Sequence, residues 1–195
     1  MPRVPPLIAA ALLVIGSALV SAAPAAASNC VGADAEAEAL SQTQLESTIT
    51  CLINKERSKA GLRSVRSSGS LRQAALGHSQ DMVQDGYFEH TSPGGQTFID
   101  RITKSGYLRG ARRWLIGENL FWGSGSQSTP EAMVDRWMRS PPHRANLLRG
   151  RFREVGVAAV RGTPVNASDD NGVTVSSEFG FRTGMRVARA ARRNR

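Results

Sequence analysis

Apolar residues recur at helical spacing in the first half of the chain and at strand spacing in the second. Leu45, Ile49, Leu52, Ile53 and Ala60 share one helical face, with Thr43-x-x-Glu46 of capping-box form ahead of them and Gly61 behind. A second helix is predicted from Ser70 as N-cap to Gly86. Its Leu71, Ala75, His78 and Met82 fall within an arc of about 60° at ~100° per residue, so His78 points where the core side chains point. A shorter helix covers Phe98 to Ser105 and stops at Gly106. A fourth opens at Thr129-Pro130, an N-cap followed by proline at the first helical position, carries Met133, Val134, Trp137 and Met138, and ends at Pro141-Pro142.

The strand signals interleave with these helices and follow them. Arg113 to Ile116 leads into Gly117-Glu118-Asn119-Leu120-Phe121, while Val155 to Val160 and Val173 to Ser176 flank a turn-rich stretch and read as a long hairpin. Helices first and strands late predict an α+β domain with a small antiparallel sheet packed between helices.

The first residues follow a different logic. Arg3 precedes an apolar run from Leu7 to about Ala23, and Pro24-Ala25-Ala26-Ala27 follows it. A basic start, an apolar stretch and an A-x-A site predict a secretory signal peptide over residues 1–27, with export to the extracellular space. Residues 28–43 read as a small, acidic leader, residues 44–181 as the folded domain and residues 182–195 as a flexible tail rich in arginine. Cys30 and Cys51 are the only cysteines. In an oxidising compartment they pair naturally as one bridge, the alternative being two free thiols.

Charge sharpens this division. The 195 residues carry 25 Lys+Arg against 16 Asp+Glu, a net +9. Removing residues 1–27 leaves +8, and removing residues 182–195 as well leaves +2. The excess therefore sits largely in the tail, which could contact anionic surfaces outside the cell. Export removes genomic nucleic acid from the plausible partners.

The chain has three histidines and no local metal signature, so any site is assembled from distant segments. His78 alone reads as a core histidine. His90, in Tyr87-Phe88-Glu89-His90-Thr91-Ser92-Pro93, reads as a residue packing its loop. His143 follows two prolines and opens a short helix to Leu148, where the helix dipole lowers an imidazole pKa. Glu118 lies in an otherwise apolar run and must be paired, liganded or exposed.

Six ordered motifs then carry a resemblance. They are Cys51 to Leu62, Ala75-Leu-Gly-His78-Ser-Gln-Asp-Met82, Gly86-Tyr-Phe-Glu-His90-Thr-Ser-Pro93, Gly117-Glu118-Asn119-Leu120, Trp137 to Leu148 around His143, and Glu154-Val-Gly-Val157. Over residues 44–181 the chain resembles the bacterial CAP (SCP) domain, of the superfamily of cysteine-rich secretory, antigen 5 and pathogenesis-related-1 proteins. The resemblance implies a three-layer α-β-α sandwich. It also implies a cleft lined by two histidines and two glutamates, which in some members holds zinc or another divalent cation.

By motif, His78 matches the first histidine, Glu118 the first glutamate and His143 the second histidine. Ser140 stands at the second glutamate, and Pro142 where bacterial relatives commonly have glycine. The implied ligand cleft is His78, Glu118, Ser140 and His143, with His78 and His143 as metal ligands and Glu118 as the candidate base. The reading that follows is an exported monomer binding a lipid, envelope polymer or protein ligand. Its rival is a metal-dependent hydrolase of peptide or envelope substrates.

Overall fold

The computed structural model describes residues 29–184. The signal peptide predicted over residues 1–27 lies outside them, as does the tail beyond Gly184. The helices are α1 (Gln42–Lys59), α2 (Gly69–Asp85), α3 (Phe98–Lys104), α4 (Pro130–Arg139) and α5 (Pro141–Leu147). The strands are β1 (Arg66–Ser67), β2 (Arg113–Ser124), β3 (Glu154–Arg161) and β4 (Gly172–Thr183). They form one sheet in the order β1-β3-β4-β2. β3, β4 and β2 are antiparallel, and the two-residue β1 joins β3 in parallel.

The alternation along β3 and β4 sets the layers. Val155, Val157, Val173, Val175 and Phe179 face α1, α4 and α5, where they meet Leu45, Ile49, Ile53, Met133 and Trp137 in the larger core. The other face is built from small and polar residues, including Gly156, Ala158, Thr174, Ser176 and Gly180, and α2 lies against it. Ser79 on α2 donates to Ser176 Oγ at 3.0 Å, and a smaller core of Leu71, Ala74, Ile102 and Tyr107 joins α2 to α3. The result is the α-β-α sandwich.

Two helix starts differ from the sequence-based expectation. α1 is capped by Ser41, whose side chain accepts from Gln44 N while Gln44 returns the bond, and Thr43 lies inside the helix. α2 is capped by Ser68 two residues ahead of Ser70. In both cases two eligible residues stand close together, and the extended backbone of the earlier one decides. β4 runs on to Thr183, so Arg182 belongs to a strand.

The segment read as a leader is packed. Ala37 is fully buried, its N–H donates to Ser128 Oγ, and Thr48 donates to the Val31 carbonyl. The Cys30–Cys51 bridge pins it to α1 across 21 residues of sequence. Replacing both cysteines by serine should lower the unfolding free energy by roughly 3 kcal/mol, the loop-closure value for that span. Urea titration of the variant against the parent under oxidising conditions measures this, and an unchanged midpoint would contradict it.

Candidate functional site

The site gathers at β2, the end strand on the side away from β1. Its outer carbonyls are covered by side chains from the next layer. Asn146 on α5 donates to the Glu118 carbonyl at 3.0 Å and to Asn119 Oδ1 at 2.9 Å. Trp137 Nε1 donates to the Leu120 carbonyl at 2.9 Å, and Asn119 Nδ2 to the His143 carbonyl at 3.1 Å. These bonds seat the α4–α5 corner, which carries Ser140 and His143, along the strand. Gly117 makes room for it, since a Cβ there would meet Asn146 and Phe152.

Glu118 points to the opposite face and is almost completely buried. Its Oε2 accepts from Arg101 Nη2 at 2.8 Å, and its Oε1 bonds His90 Nδ1 at 2.7 Å. Arg101 comes from α3 and also donates to the carbonyls of His90 and Gln96, fixing the α2–α3 loop over the carboxylate. The His90 side chain remains 54% exposed. It does not pack its loop, which corrects the sequence reading. The imidazole is turned toward Glu118 and solvent because the buried carboxylate needs a second donor.

The His90 pKa is raised, first by the hydrogen bond to Glu118. Glu118 is held below its ordinary value despite the cost of burial, by His90, Glu178 and Arg101. Glu178 lies directly opposite Glu118 across β2 and β4, fully buried. As an anion it would have no hydrogen-bond donor, so it is the member of the pair that keeps its proton. Its pKa is pushed well up by burial and by the Glu118 charge.

Glu178→Gln keeps the shape and removes that titration. A raised carboxyl pKa leaves stability intact below the unfolded-state value and takes it away as pH rises, because folding must then bind a proton. The variant should therefore gain about 1–2 kcal/mol near pH 7 and nothing at pH values below the ordinary glutamate pKa. Urea midpoints at the two pH values check it, and an equal shift at both would refute the titration.

His78 is fully enclosed beneath Glu118, with Nε2 4.0 Å from Glu118 Oε2. That nitrogen lies 3.0 Å from the Glu89 carbonyl, so it carries the proton and donates, while Nδ1 meets the Tyr87 hydroxyl at 3.3 Å. Burial lowers its pKa to about 4. His143 Nδ1 bonds Ser140 Oγ at 2.7 Å. Its pKa is lowered, by burial first and by the charge of His90 second. Ser140 is the N-cap of α5, yet its side chain caps no backbone N–H and holds His143 instead.

The expected set of His78, Glu118, Ser140 and His143 thus divides. His78 and Glu118 belong to a buried network, and Ser140 and His143 to the half-buried α4–α5 corner beside it. His90 and Arg101 complete the arrangement, and sequence reasoning did not assign either to it.

A metal held by His78 and His143 does not fit these side chains. Both His78 nitrogens are engaged, and both Glu118 oxygens are occupied by N–H donors. Only the Nε2 atoms of His90 and His143 carry no hydrogen bond among the described contacts, short of the three protein ligands that an open zinc site uses. Among the described residues no group of three or more His, Cys, Asp or Glu is arranged to hold a metal ion.

Comparison with known proteins agrees with this architecture. The chain is 36% identical over 115 residues to the uncharacterized protein YkwD of Bacillus subtilis (strain 168), covering 59% of this chain and 42% of that protein. It is 31% identical over 120 residues to the uncharacterized membrane protein YlbC of the same strain, covering 62% and 33%. The chain therefore spans less than half the length of these relatives. Among solved structures, an extracellular protein containing an SCP domain from Bacillus anthracis matches with a TM-score of 0.55 at 26% identity, covering 72% of this chain and 43% of that one. An outer surface protein of Borrelia burgdorferi shares the fold, with a TM-score of 0.61 at 22% identity, over 74% and 97% of the two chains. The profile of the cysteine-rich secretory protein family matches residues 51–176, and with six ordered motifs and the sandwich in place, the chain belongs to the cysteine-rich secretory protein (CAP) family.

Proposed function

We propose that this is an exported binding protein whose cleft at β2 takes an anionic group of a cell-envelope ligand, a carboxylate or a phosphate. The observation that carries this reading is the double commitment of Glu118, one oxygen to Arg101 and one to His90. A carboxylate held on both oxygens and almost completely buried is a poor base for activating water, which weighs against the hydrolase alternative. What it does well is orient His90 and keep it cationic to higher pH. The cleft then offers solvent a cationic imidazole from His90 and a neutral one from His143, held by Ser140. Such a pair recognises an anion through charge-assisted hydrogen bonds. An extracellular setting is supported by the Cys30–Cys51 bridge and by the extracellular Bacillus anthracis neighbour. Among the described residues no helix is long and apolar enough to cross a membrane.

The test is retention of fractionated envelope material on immobilised protein purified without a histidine tag. His90→Gln and His143→Gln should each release the bound fraction severalfold more readily, and elution should rise with pH as His90 loses its proton. Mass analysis of the same preparation should find zinc well below one per chain. Soluble fragments released from the envelope by the parent, and not by Glu118→Gln, would establish hydrolysis instead. Retention no better than on an unrelated basic protein would end the binding reading.

A further inference from the structure

The described domain is electrically lopsided in a way its small net charge conceals. β1 and β3 begin, β2 begins and β4 ends at one end of the sheet. Arg66, Arg112, Arg113, Arg149, Arg151 and Arg153 gather there, all exposed except the half-buried Arg153. Among the described residues the acid at this end is Glu154, and it is already engaged by the Tyr107 hydroxyl at 2.7 Å and by Arg182 at 3.5 Å. The rest of residues 28–181 carries twelve basic and fifteen acidic side chains. The domain is thus strongly positive at one end of its sheet and close to balanced over the remainder.

Two of these guanidinium groups are held in place. Arg149 stacks over Phe152 and Arg151 over Phe181, at 5.8 and 5.5 Å from the ring centroids. Trp114 follows Arg113 at the start of β2, on the opposite face of the strand at this same end, and is 47% exposed, one of the few large apolar side chains among the described residues left open to solvent. β4 also ends here, and the sequence continues beyond Gly184 with five more arginines.

We propose that this end of the sheet docks the chain onto an anionic phospholipid surface. Arginines supply attraction to headgroup phosphates, to which the guanidinium fork is matched. Trp114 selects among polyanions. A soluble phosphate polymer offers an indole nothing, whereas the headgroup region of a bilayer is the place where an amphipathic ring is accommodated. The orientation follows: the sheet end lies on the membrane. The cleft residues His90 and His143 take no part, so this surface stands or falls apart from the cleft's ligand.

The experiment is co-sedimentation of the purified chain with phosphatidylcholine vesicles with and without phosphatidylglycerol, read alongside Trp fluorescence. Binding should require phosphatidylglycerol and weaken as ionic strength rises past about 0.15 M, where charges are screened within ~8 Å. Arg112→Gln/Arg113→Gln/Arg151→Gln should weaken it at least about tenfold. A matched Arg136→Gln/Arg139→Gln/Arg161→Gln chain should stay within about twofold. Trp114→Phe should lose the blue shift that accompanies binding and should bind more weakly, and as a conservative change at an exposed site it guards against misfolding of the triple variant. Replacing the five arginines beyond Gly184 by glutamine should leave measurable, still salt-sensitive binding.

Absence of binding to phosphatidylglycerol vesicles would overturn the proposal. So would a triple variant within twofold of the parent, or binding abolished by the C-terminal substitutions alone. Tight binding of soluble polyphosphate without vesicle binding would also overturn it, by assigning the patch to a phosphate polymer.

Discussion

Arg101→Met is expected to lower the unfolding free energy by about 3–5 kcal/mol, the usual cost of leaving one member of a buried ion pair behind. Arg101 is 5% exposed and its guanidinium donates directly to Glu118. Methionine fills much of the same volume, so the loss is electrostatic rather than a cavity. Without the guanidinium, Glu118 faces Glu178 with only His90 to balance its charge, and the desolvation of that carboxylate is no longer offset. The effect has a second component. Arg101 also donates to the His90 and Gln96 carbonyls, so the loop loses both anchors along with the carboxylate's partner. Arg101→Lys separates the two, because a single ammonium keeps the charge but cannot span three acceptors. It should recover part of the stability and little of the loop's protection. Urea unfolding together with amide hydrogen exchange over residues 87–97 reads both. An Arg101→Met chain within 1 kcal/mol of the parent, with unchanged exchange, would mean that the ion pair carries neither stability nor position.

How far the sequence disclosed this network depended on whether a residue's environment was local. The stop of α2 at Gly86 was legible, since a helix needs a left-handed residue there and Gly86 supplies it at φ +67°. The face of α2 holding Leu71, Ala75, His78 and Met82 was legible from spacing, and all four are buried. Glu118 announced only that it needed partners. Those partners lie 17 and 28 residues away on a short helix and a loop, and nothing near Arg101 distinguishes it in sequence from the exposed Arg109, Arg112 and Arg113 that follow. A sharper signal for His90 was available: a buried carboxylate requires a donor, and the motif around His90 places an imidazole on a turn-rich loop free to approach. Glu178 escaped for another reason. The strand was read only to Ser176, where the β-branched residues end, so the following positions were not assigned a face. β4 instead continues through Glu178 to Thr183 because its pairing with both β2 and β3 sustains it.

The packing beneath the network gives the second large effect. Gly156 on β3 lies opposite Glu178 on β4, and α2 crosses directly above it. A Cβ at this position would fall well inside contact distance of Arg72 N and the Leu71 carbonyl carbon, and 2.6 Å from Leu71 Cβ. Two of these three obstacles are backbone atoms of α2, so no rotamer change relieves them. Gly156→Ala must therefore lift the first turn of α2 from the sheet, with a cost of roughly 3 kcal/mol or more. Ser68, the N-cap of this helix, and Leu71, fully buried beneath it, lie in the segment that would move. Because His78 is carried two turns further along α2, the displacement would also disturb its contact with the Glu89 carbonyl and its place under Glu118. Gly77 on the same helix provides the contrast. A Cβ there meets nothing within 4 Å, and alanine in a helix interior is favoured over glycine by about 0.5–1 kcal/mol. The two substitutions are chemically identical and should move thermal unfolding midpoints in opposite directions, Gly156→Ala down steeply and Gly77→Ala slightly up. A Gly156→Ala chain that melts with the parent would show that α2 can yield at its N-terminus, and the close approach to β3 would then have no bearing on how the carboxyl pair and His78 are held.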